Sequence, residues 1–304
     1  MTDTTSNLSR KINSAGDLQS VVRTMKAVAA SSIGQYEKSV RALTDYYRTV
    51  ELGLGACFRQ NGPTPLIAGP KNKKKAAGMT GAIVFGSDQG LVGQFNDVVA
   101  DYAVKTLTTL DASPRVWAVG ERVQARLIDA GLTPTKVFGV PNSVKAISPI
   151  IGDILMESEI IQNQDDVMEL HLFYNRPTSG AVYAPVSQQL LPLDESWQRT
   201  LAERPWPTGS LPEVMCTGTT TVKALVREYL FVSMFRACAE SLVSENASRL
   251  AAMQRADKNI DELLENLKGS FHRLRQSGID EELFDVISGF EALSKDAASV
   301  QTLI

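Results

Sequence analysis

The sequence contains few of the residues that build metal sites and disulfide frameworks. Only His171 and His272 occur among its 304 residues, which excludes a histidine-rich metal centre and an H-E-x-x-H hydrolase. The three cysteines, Cys57, Cys216 and Cys238, are widely spaced and form no C-x-x-C pair. We therefore predict neither a disulfide framework nor a thiolate zinc site, and a reducing compartment fits this cysteine usage.

Long apolar runs and targeting signals are also missing. No stretch of about 18 uncharged apolar residues occurs, so we expect no membrane-spanning helix. The first residues lack the basic segment and apolar core of a secretory signal, and they lack the arginine-rich character of a transit peptide. With 43% hydrophobic and 21% charged residues, the composition is that of a folded chain, and any membrane association is expected to involve partners.

Proline is absent from residues 1–62 and from every position after Pro212, and both regions carry apolar residues every three or four positions. This spacing is typical of a coiled-coil seam. The N-terminal stripe comprises Leu8, Ile12, Ala15, Leu18, Val22, Met25, Ala29, Ile33, Tyr36, Val40, Leu43, Tyr47 and Val50. The C-terminal stripe comprises Val222, Leu225, Tyr229, Val232, Leu250, Met253, Ile260, Leu264, Leu267, Phe271, Leu274, Ile279, Leu283, Val286, Phe290 and Leu293. We predict helices from about residue 6 to 58 and from about residue 220 onward, paired as an antiparallel coiled coil that buries both stripes.

The middle of the chain changes character at two segments rich in proline and glycine, Asn61-Gly-Pro-Thr-Pro65 and Arg204-Pro-Trp-Pro-Thr-Gly209, which we interpret as linkers. Strand and helix patterns alternate between them. We predict strands at 81–86, 115–120, 167–174 and 181–191, and helices at 96–110, 121–130 and 142–161. The predicted class is α/β, with N-terminal (1–60) and C-terminal (213–304) coiled-coil helices around a central Rossmann-like domain (61–212) that has a mostly parallel sheet.

The loop Gly86-Ser-Asp-Gln-Gly-Leu-Val-Gly93 follows a predicted strand and precedes a helix, where a phosphate could bind. Its spacing is not G-x-G-x-x-G, and no G-x-x-x-x-G-K-[ST] loop is present, so a structural turn is favoured over a ligand site. Two other classes remain open at this point. A nucleotide-dependent enzyme would need this loop to bind phosphate, whereas a plain coiled-coil adaptor would need no α/β domain.

Three charge patterns have more than one interpretation. The acidic cluster Asp280, Glu281, Glu282 and Asp285 lacks the spacing of a calcium loop and is interpreted as a solvated helix face. The run Lys71–Lys75 has no interleaved aromatic residues in a chain of formal charge −3, so no nucleic-acid partner is predicted. Residues 5–50 are basic and residues 277–304 are acidic, and the basic helix suits an acidic protein partner if it is not simply solvated.

Several motifs occur in the order seen in one known family. They are Thr24-Met-Lys-Ala-Val-Ala-Ala-Ser31, Gly86-Ser-Asp-Gln-Gly-Leu-Val-Gly-Gln-Phe-Asn96, Tyr174-Asn-Arg176 with Leu190-Leu-Pro-Leu193, Ala239-Glu-Ser-Leu-Val-Ser-Glu-Asn-Ala-Ser-Arg-Leu-Ala-Ala-Met253 and Gly289-Phe-Glu-Ala-Leu293. On these motifs the chain resembles the gamma subunit of F-type ATP synthases over essentially its whole length.

The resemblance implies a non-catalytic rotor shaft with no cofactor, which couples transmembrane ion flow to ATP synthesis or hydrolysis by rotation. The implied partners are the alpha and beta subunits of the catalytic hexamer, the epsilon subunit and the c-ring of the membrane sector. The implied location is peripheral, on the cytoplasmic face of a bacterial or archaeal plasma membrane, and the coupled ion is H⁺ or Na⁺.

By the same resemblance, the positions that contact the beta subunits and transmit torque are Met25, Arg249, Arg275, Gln276 and Glu282. The sequence departs from the family motif at Gln89, Val92 and Asp280, where the family usually has arginine, cysteine and threonine. These departures favour a divergent, alternative-ATPase version of the gamma subunit.

Overall fold

The computed structural model describes residues 4–61, 79–110, 114–165, 167–179, 182–210, 212–213 and 218–301. The run Lys71–Lys75, most of the first predicted linker and Cys216 lie outside these ranges. The chain divides into two compact units, Met1–Ala27 with Met253–Ile304, and Val28–Ala252. The three-part division at residues 60 and 212 stays a prediction.

The elements in chain order confirm the predicted alternation of helices and strands. They are α1 (Thr5–Asn61), β1 (Met79–Phe85), α2 (Phe95–Leu107), β2 (Arg115–Val119), α3 (Glu121–Asp129), β3 (Lys136–Phe138), α4 (Val144–Asp165), β4 (Val167–Arg176), β5 (Ala184–Leu191), α5 (Glu195–Glu203) and α6 (Gly218–Gln301). The terminal helices α1 and α6 contain 57 and 84 residues, as their freedom from proline led us to expect.

In the unit formed by the two chain ends, α1 and α6 pair in the predicted antiparallel sense. The Gln19 amide donates to Asp261, and further along α1 the Lys26 ammonium donates to Asp257 Oδ2 at 2.7 Å. Arg23 Nε also donates to Asp257, at 3.2 Å. The hydrogen bond from Lys26 lowers the pKa of the Asp257 carboxyl below its ordinary value, because it favours the charged form.

On the α1 side of this unit, one predicted seam position is wrong. Leu8 and Ala15 are buried, but Leu18 is 60% exposed, and the neighbouring Gln19 is partly buried in its place. A coiled-coil stripe alternates steps of four and three residues, so the step after Ala15 leads to Gln19. Leu18 fits the apolar spacing only because it is the leucine nearest to this position.

In the unit formed by Val28–Ala252, the α1 and α6 segments also run antiparallel. The Tyr46 hydroxyl donates to Glu228 Oε2 at 2.7 Å, and a Cβ added at Gly53 would lie 3.3 Å from the side chain of Leu225. The rings of Tyr47 and Tyr229 lie 5.7 Å apart. These contacts join the helices to the core that covers one face of the sheet.

The sheet of this unit has five strands in the order β3-β2-β1-β4-β5. Strands β1 to β4 are parallel to one another, and β5 pairs with β4 in the antiparallel sense. Residues Ile83 and Phe85 belong to the core that includes α1, α4 and α6, whereas Ala82 and Val84 pack with α2 and α3. Because helices cover both faces, β1 is a continuous apolar run, and the predicted mostly parallel α/β class is confirmed.

Two elements of the sheet unit, β3 and α5, are not predicted by the sequence pattern. Strand β3 has only three residues, all of them partly or fully exposed, so it carries no periodic signal. Helix α5 is nine residues long, and its N-cap is Asp194, whose side chain accepts from the backbone N–H of Ser196. The capping aspartate is the sequence feature that marks the start of this helix. It was overlooked because the segment directly after the helix is rich in proline and glycine and was interpreted as a linker.

Candidate functional site

The loop between β1 and α2 is held in place by hydrogen bonds within the protein. The backbone N–H of Ser87 donates to Asn96 Oδ1 at 2.9 Å, and the Asn96 amide donates back to Ser87 Oγ at 2.8 Å. The Asp88 carboxylate accepts from the backbone N–H groups of Glu121 at 3.0 Å and Val140 at 2.8 Å. The side chains of Ser87 and Asp88 are therefore engaged in fixing the ends of neighbouring elements.

The glycine at the start of this loop serves close packing. A Cβ on Gly86 would lie 2.3 Å from Val123 Cβ of α3, and one on Gly120 would lie 2.7 Å from the carbonyl oxygen of Ser87. At the other end of the loop, the Ser248 hydroxyl of α6 donates to the carbonyl of Val92 at 2.5 Å. These contacts support the interpretation of the loop as a structural turn.

A cleft of about 450 Å³ lies between this loop and the adjacent parts of α1 and α6. Its lining includes Tyr36, Asp88, Glu245 and Arg249. Glu245 and Arg249 form an ion pair at 2.7 Å in which both side chains are largely buried. Burial raises the pKa of Glu245, an effect that Arg249 opposes and that the charge of Asp88 increases.

Arg249 is one of the five predicted torque positions, and the structure places it in that ion pair. Its side chain is 12% exposed. Its Nε is buried and has no hydrogen-bond partner among the described residues. The guanidinium is therefore oriented by Glu245 while one of its donors remains unused.

The other four predicted torque positions lie in the unit formed by the chain ends, and they do not form a single cluster. Met25 is partly buried in α1, beside the Lys26 that pairs with Asp257. Arg275, Gln276 and Glu282 are exposed and lie further toward the C-terminal end of α6.

The distal end of α6 carries apolar side chains that no part of the described α1 covers. We define the distal surface as Ile279, Leu283, Phe284, Val286 and Ile287, which are all 46–70% exposed. Since Gln19 pairs with Asp261 in an antiparallel arrangement, positions beyond about residue 275 extend past Thr5, where α1 begins.

The seam predicted for Ile279, Leu283 and Val286 is therefore wrong for the isolated chain, because they lack an α1 partner. Phe284 and Ile287, which belong to the distal surface, lie outside the heptad stripe and were not predicted. The sequence feature that could have identified them is their spacing of three residues, which places two apolar side chains on one helix face within an acidic segment.

The acidic cluster Asp280, Glu281, Glu282 and Asp285 is exposed on the same segment of α6. Within the described part of the chain, no group of three or more His, Cys, Asp or Glu side chains is arranged to hold a metal ion. None of the described helices combines the length and apolar character needed to cross a bilayer.

Comparisons with known proteins identify relatives along almost the whole chain. The family model described as ATP synthase matches residues 4–293. The ATP synthase gamma chain of Malacoplasma penetrans is 24% identical over 284 residues, covering 93% of this chain and 96% of that protein. The mitochondrial ATP synthase subunit gamma of Drosophila melanogaster is 28% identical over 290 residues, covering 94% and 90%.

Solved structures match the same architecture. A chain of the Euglena gracilis mitochondrial ATP synthase, in a structure of OSCP, F1 and the c-ring, aligns with a TM-score of 0.62 and 16% identity. The alignment covers 95% of this chain and 94% of that one. A rotor chain of the same organism's enzyme aligns with a TM-score of 0.59, covering 90% and 98%.

Long terminal helices combined with a parallel-dominated sheet are the architecture that this chain shares with those ATP synthase chains. The chain belongs to the ATP synthase family and groups with its gamma chains. By this family membership it is a non-catalytic subunit that forms the central rotor shaft of an ATP synthase.

Proposed function

We propose that the chain transmits torque through the exposed residues of its terminal helices, coupling the movement of H⁺ or Na⁺ across a membrane to ATP chemistry in the beta subunits. The observation that carries this proposal is the exposure of the apolar distal surface of α6, together with the membership of the chain in the ATP synthase family. An apolar surface of this kind is buried only when a partner surrounds the helix.

The physical basis of coupling is differential affinity. A rotor that contacts three beta subunits through different side chains stabilises a different conformation in each of them, and its rotation shifts the three equilibria in turn. The proposed contact residues are Met25, Arg249, Arg275, Gln276 and Glu282. The exposure of the last three and the unused Nε of Arg249 support this assignment.

We further propose that the complex is attached to the cytoplasmic face of a bacterial or archaeal plasma membrane. Three departures from the family motif, Gln89, Val92 and Asp280, support a divergent, alternative ATPase. The three-part division at residues 60 and 212 assigns the central domain to contacts with the epsilon subunit and c-ring, and the two helices to contacts with the hexamer.

The proposal is tested by assembling the chain with the alpha and beta subunits and, in vesicles, with the membrane sector. We expect co-purification, and we expect ATP hydrolysis to drive ion uptake. A variant in which Leu283 and Phe284 are changed to serine should assemble less well, because it removes apolar area from the distal surface. The matched control changes Glu281 to serine on the same segment. Failure of the unaltered chain to co-purify with the alpha and beta subunits would contradict the proposal.

A further inference from the structure

A second cavity, away from the residues proposed for torque, lies where β4 and β5 meet α1 and α6 in the unit formed by Val28–Ala252. It has a volume of about 260 Å³ and is lined by Tyr47, Arg176, Gln188, Ser233 and Arg236. Every one of these side chains carries a hydrogen-bond donor, and none of them is acidic. We define this set of five as the donor cavity.

The two arginines of the donor cavity are held from one side by a single carboxylate. Glu240 is largely buried and accepts from Arg176 Nε at 3.0 Å and from Arg236 Nε at 2.7 Å. Arg176 also donates through Nη2 to the buried Tyr174 hydroxyl, and its guanidinium lies 5.4 Å from the centre of that ring. Two positive charges thus share one negative charge, and both guanidinium planes are oriented before any ligand binds.

This arrangement leaves donors available on the cavity side. Each guanidinium has five N–H groups. Among the described residues, Nη1 of Arg176 and both Nη groups of Arg236 have no hydrogen-bond partner. Oriented guanidinium groups with unused N–H groups match the oxygen atoms of a phosphate, to which arginine often donates two parallel bonds.

An independent observation on the same cavity points to a ligand. Ser233 is 3% exposed, and its hydroxyl makes no well-formed hydrogen bond in the described structure, with the Tyr229 hydroxyl as its neighbouring polar group. Buried hydroxyl groups are nearly always well bonded, so the Ser233 hydroxyl has capacity for a further partner in the cavity. The fifth lining residue, Tyr47, is not a free donor in this structure, because its hydroxyl is hydrogen-bonded to Tyr229.

We propose that the donor cavity binds inorganic phosphate. The two arginine side chains are 45% and 49% exposed, and their excess charge over Glu240 favours an anion with several acceptor oxygens. The volume selects a small ion with bound water, because it lies below the roughly 300–1,000 Å³ of sites for larger organic ligands. This inference goes beyond the proposed rotary function and does not depend on it.

The experiment is titration of the purified full-length chain with inorganic phosphate, followed by calorimetry and by ³¹P line broadening. We expect one saturable site for which sulfate competes and chloride at matched ionic strength does not. Arg236→Gln should weaken phosphate binding about tenfold, which corresponds to about 1.4 kcal/mol. Ser233→Ala should weaken it about threefold, as expected for one hydrogen bond.

The matched control is Arg41→Gln, since Arg41 lines a neighbouring cleft with Arg176 and Arg236 but not the donor cavity. It should leave phosphate affinity unchanged. Circular dichroism and thermal unfolding check that each variant folds, and Ser233→Ala provides a test even if Arg236→Gln does not fold.

Three results would overturn the proposal: no saturable phosphate binding, an equal loss of affinity in Arg41→Gln and Arg236→Gln, or saturable ADP binding that phosphate does not displace. The last would mean that the phosphate group of a larger molecule, and not the free ion, is the ligand. A failure of phosphate binding leaves co-purification with the alpha and beta subunits unaffected, so the two proposals are tested separately.

Discussion

At the residue scale, Glu245 is the carboxyl whose burial has the clearest consequence for stability. Burial raises its pKa above the ordinary value of 4.5, even with Arg249 at 2.7 Å. A carboxyl with a higher pKa in the folded state binds its proton more tightly there, so the free energy of unfolding decreases as the pH rises from 4.5 through the folded-state pKa. Ionised Glu245 thus lowers stability relative to its protonated form.

Glu245→Gln removes this titration. We expect the stability of the wild type, relative to the variant, to decrease as the pH rises above 4.5 and then to level off. Urea unfolding of both chains over a series of pH values measures the difference. Glu195→Gln, at an exposed position in α5, is the control. A difference between wild type and Glu245→Gln that stays constant with pH would contradict the assigned cause.

A substitution at Met25 can distinguish a role in torque from a role in folding, because Met25 is a proposed contact with the beta subunits and is also partly buried in the seam. A lysine at this position can extend its ammonium to solvent, so we expect Met25→Lys to assemble. It should reduce coupling, since a new cation near acidic groups of the beta subunit would over-stabilise one rotary state. The measurement is ATP hydrolysis together with ion pumping in vesicles that hold the assembled complex.

The control for this substitution is Val21→Lys, one turn earlier on α1, where the side chain is already 56% exposed. That variant should assemble normally. If Met25→Lys assembles and both hydrolyses ATP and pumps ions as the wild type does, Met25 has no role in torque.

At the scale of elements, the loop between β1 and α2 depends on close approach to α3. Gly86→Ala would place a Cβ 2.3 Å from Val123 and should destabilise the folded chain by about 1–3 kcal/mol, because the core must move apart. At Gly90 an added Cβ would meet only the end of the Arg122 side chain, at 3.9 Å. Denaturant unfolding should therefore separate the two alanine variants, and equal stabilities would refute the packing described for Gly86.

The pairing of α1 and α6 makes a second prediction at this scale. Leu264 is partly buried on the predicted seam, whereas Lys268, one turn further along α6, is exposed. Leu264→Asp should lower the free energy of unfolding by about 1–3 kcal/mol, since it places a charge against apolar neighbours. Lys268→Ala should have little effect. The reverse order of stabilities in urea would show that the register of α6 is wrong.

At the scale of the whole molecule, we expect the purified chain to bind no ATP and to hydrolyse none. The loop from Gly86 to Gly93 uses Asn96, Val123 and Ser248 to hold its shape, and it offers no lysine for a phosphate chain. Calorimetry with Mg-ATP should detect no saturable binding. Micromolar binding that is lost on changing Gly90 or Gly93 would restore the alternative of a nucleotide-dependent enzyme.

The sequence alone determined the fold class, the helical ends and the family of this protein. Proline-free apolar stripes and buried strand patterns are local signals, and they placed α1, α6 and most of the sheet close to their observed bounds. Two short elements, β3 and α5, were missed because three or nine residues carry little periodicity. The motif resemblance named five torque positions, which remain a proposal.

Which side chains of these elements have partners depends on tertiary contacts. The tertiary structure moved the seam from Leu18 to Gln19, left Ile279, Leu283 and Val286 without an α1 partner, and enclosed Arg249 with Glu245. It also brought Arg176 and Arg236 to one carboxylate. The physical reason is that burial and pairing depend on where a second element lies, and residues far apart in the sequence supply that element.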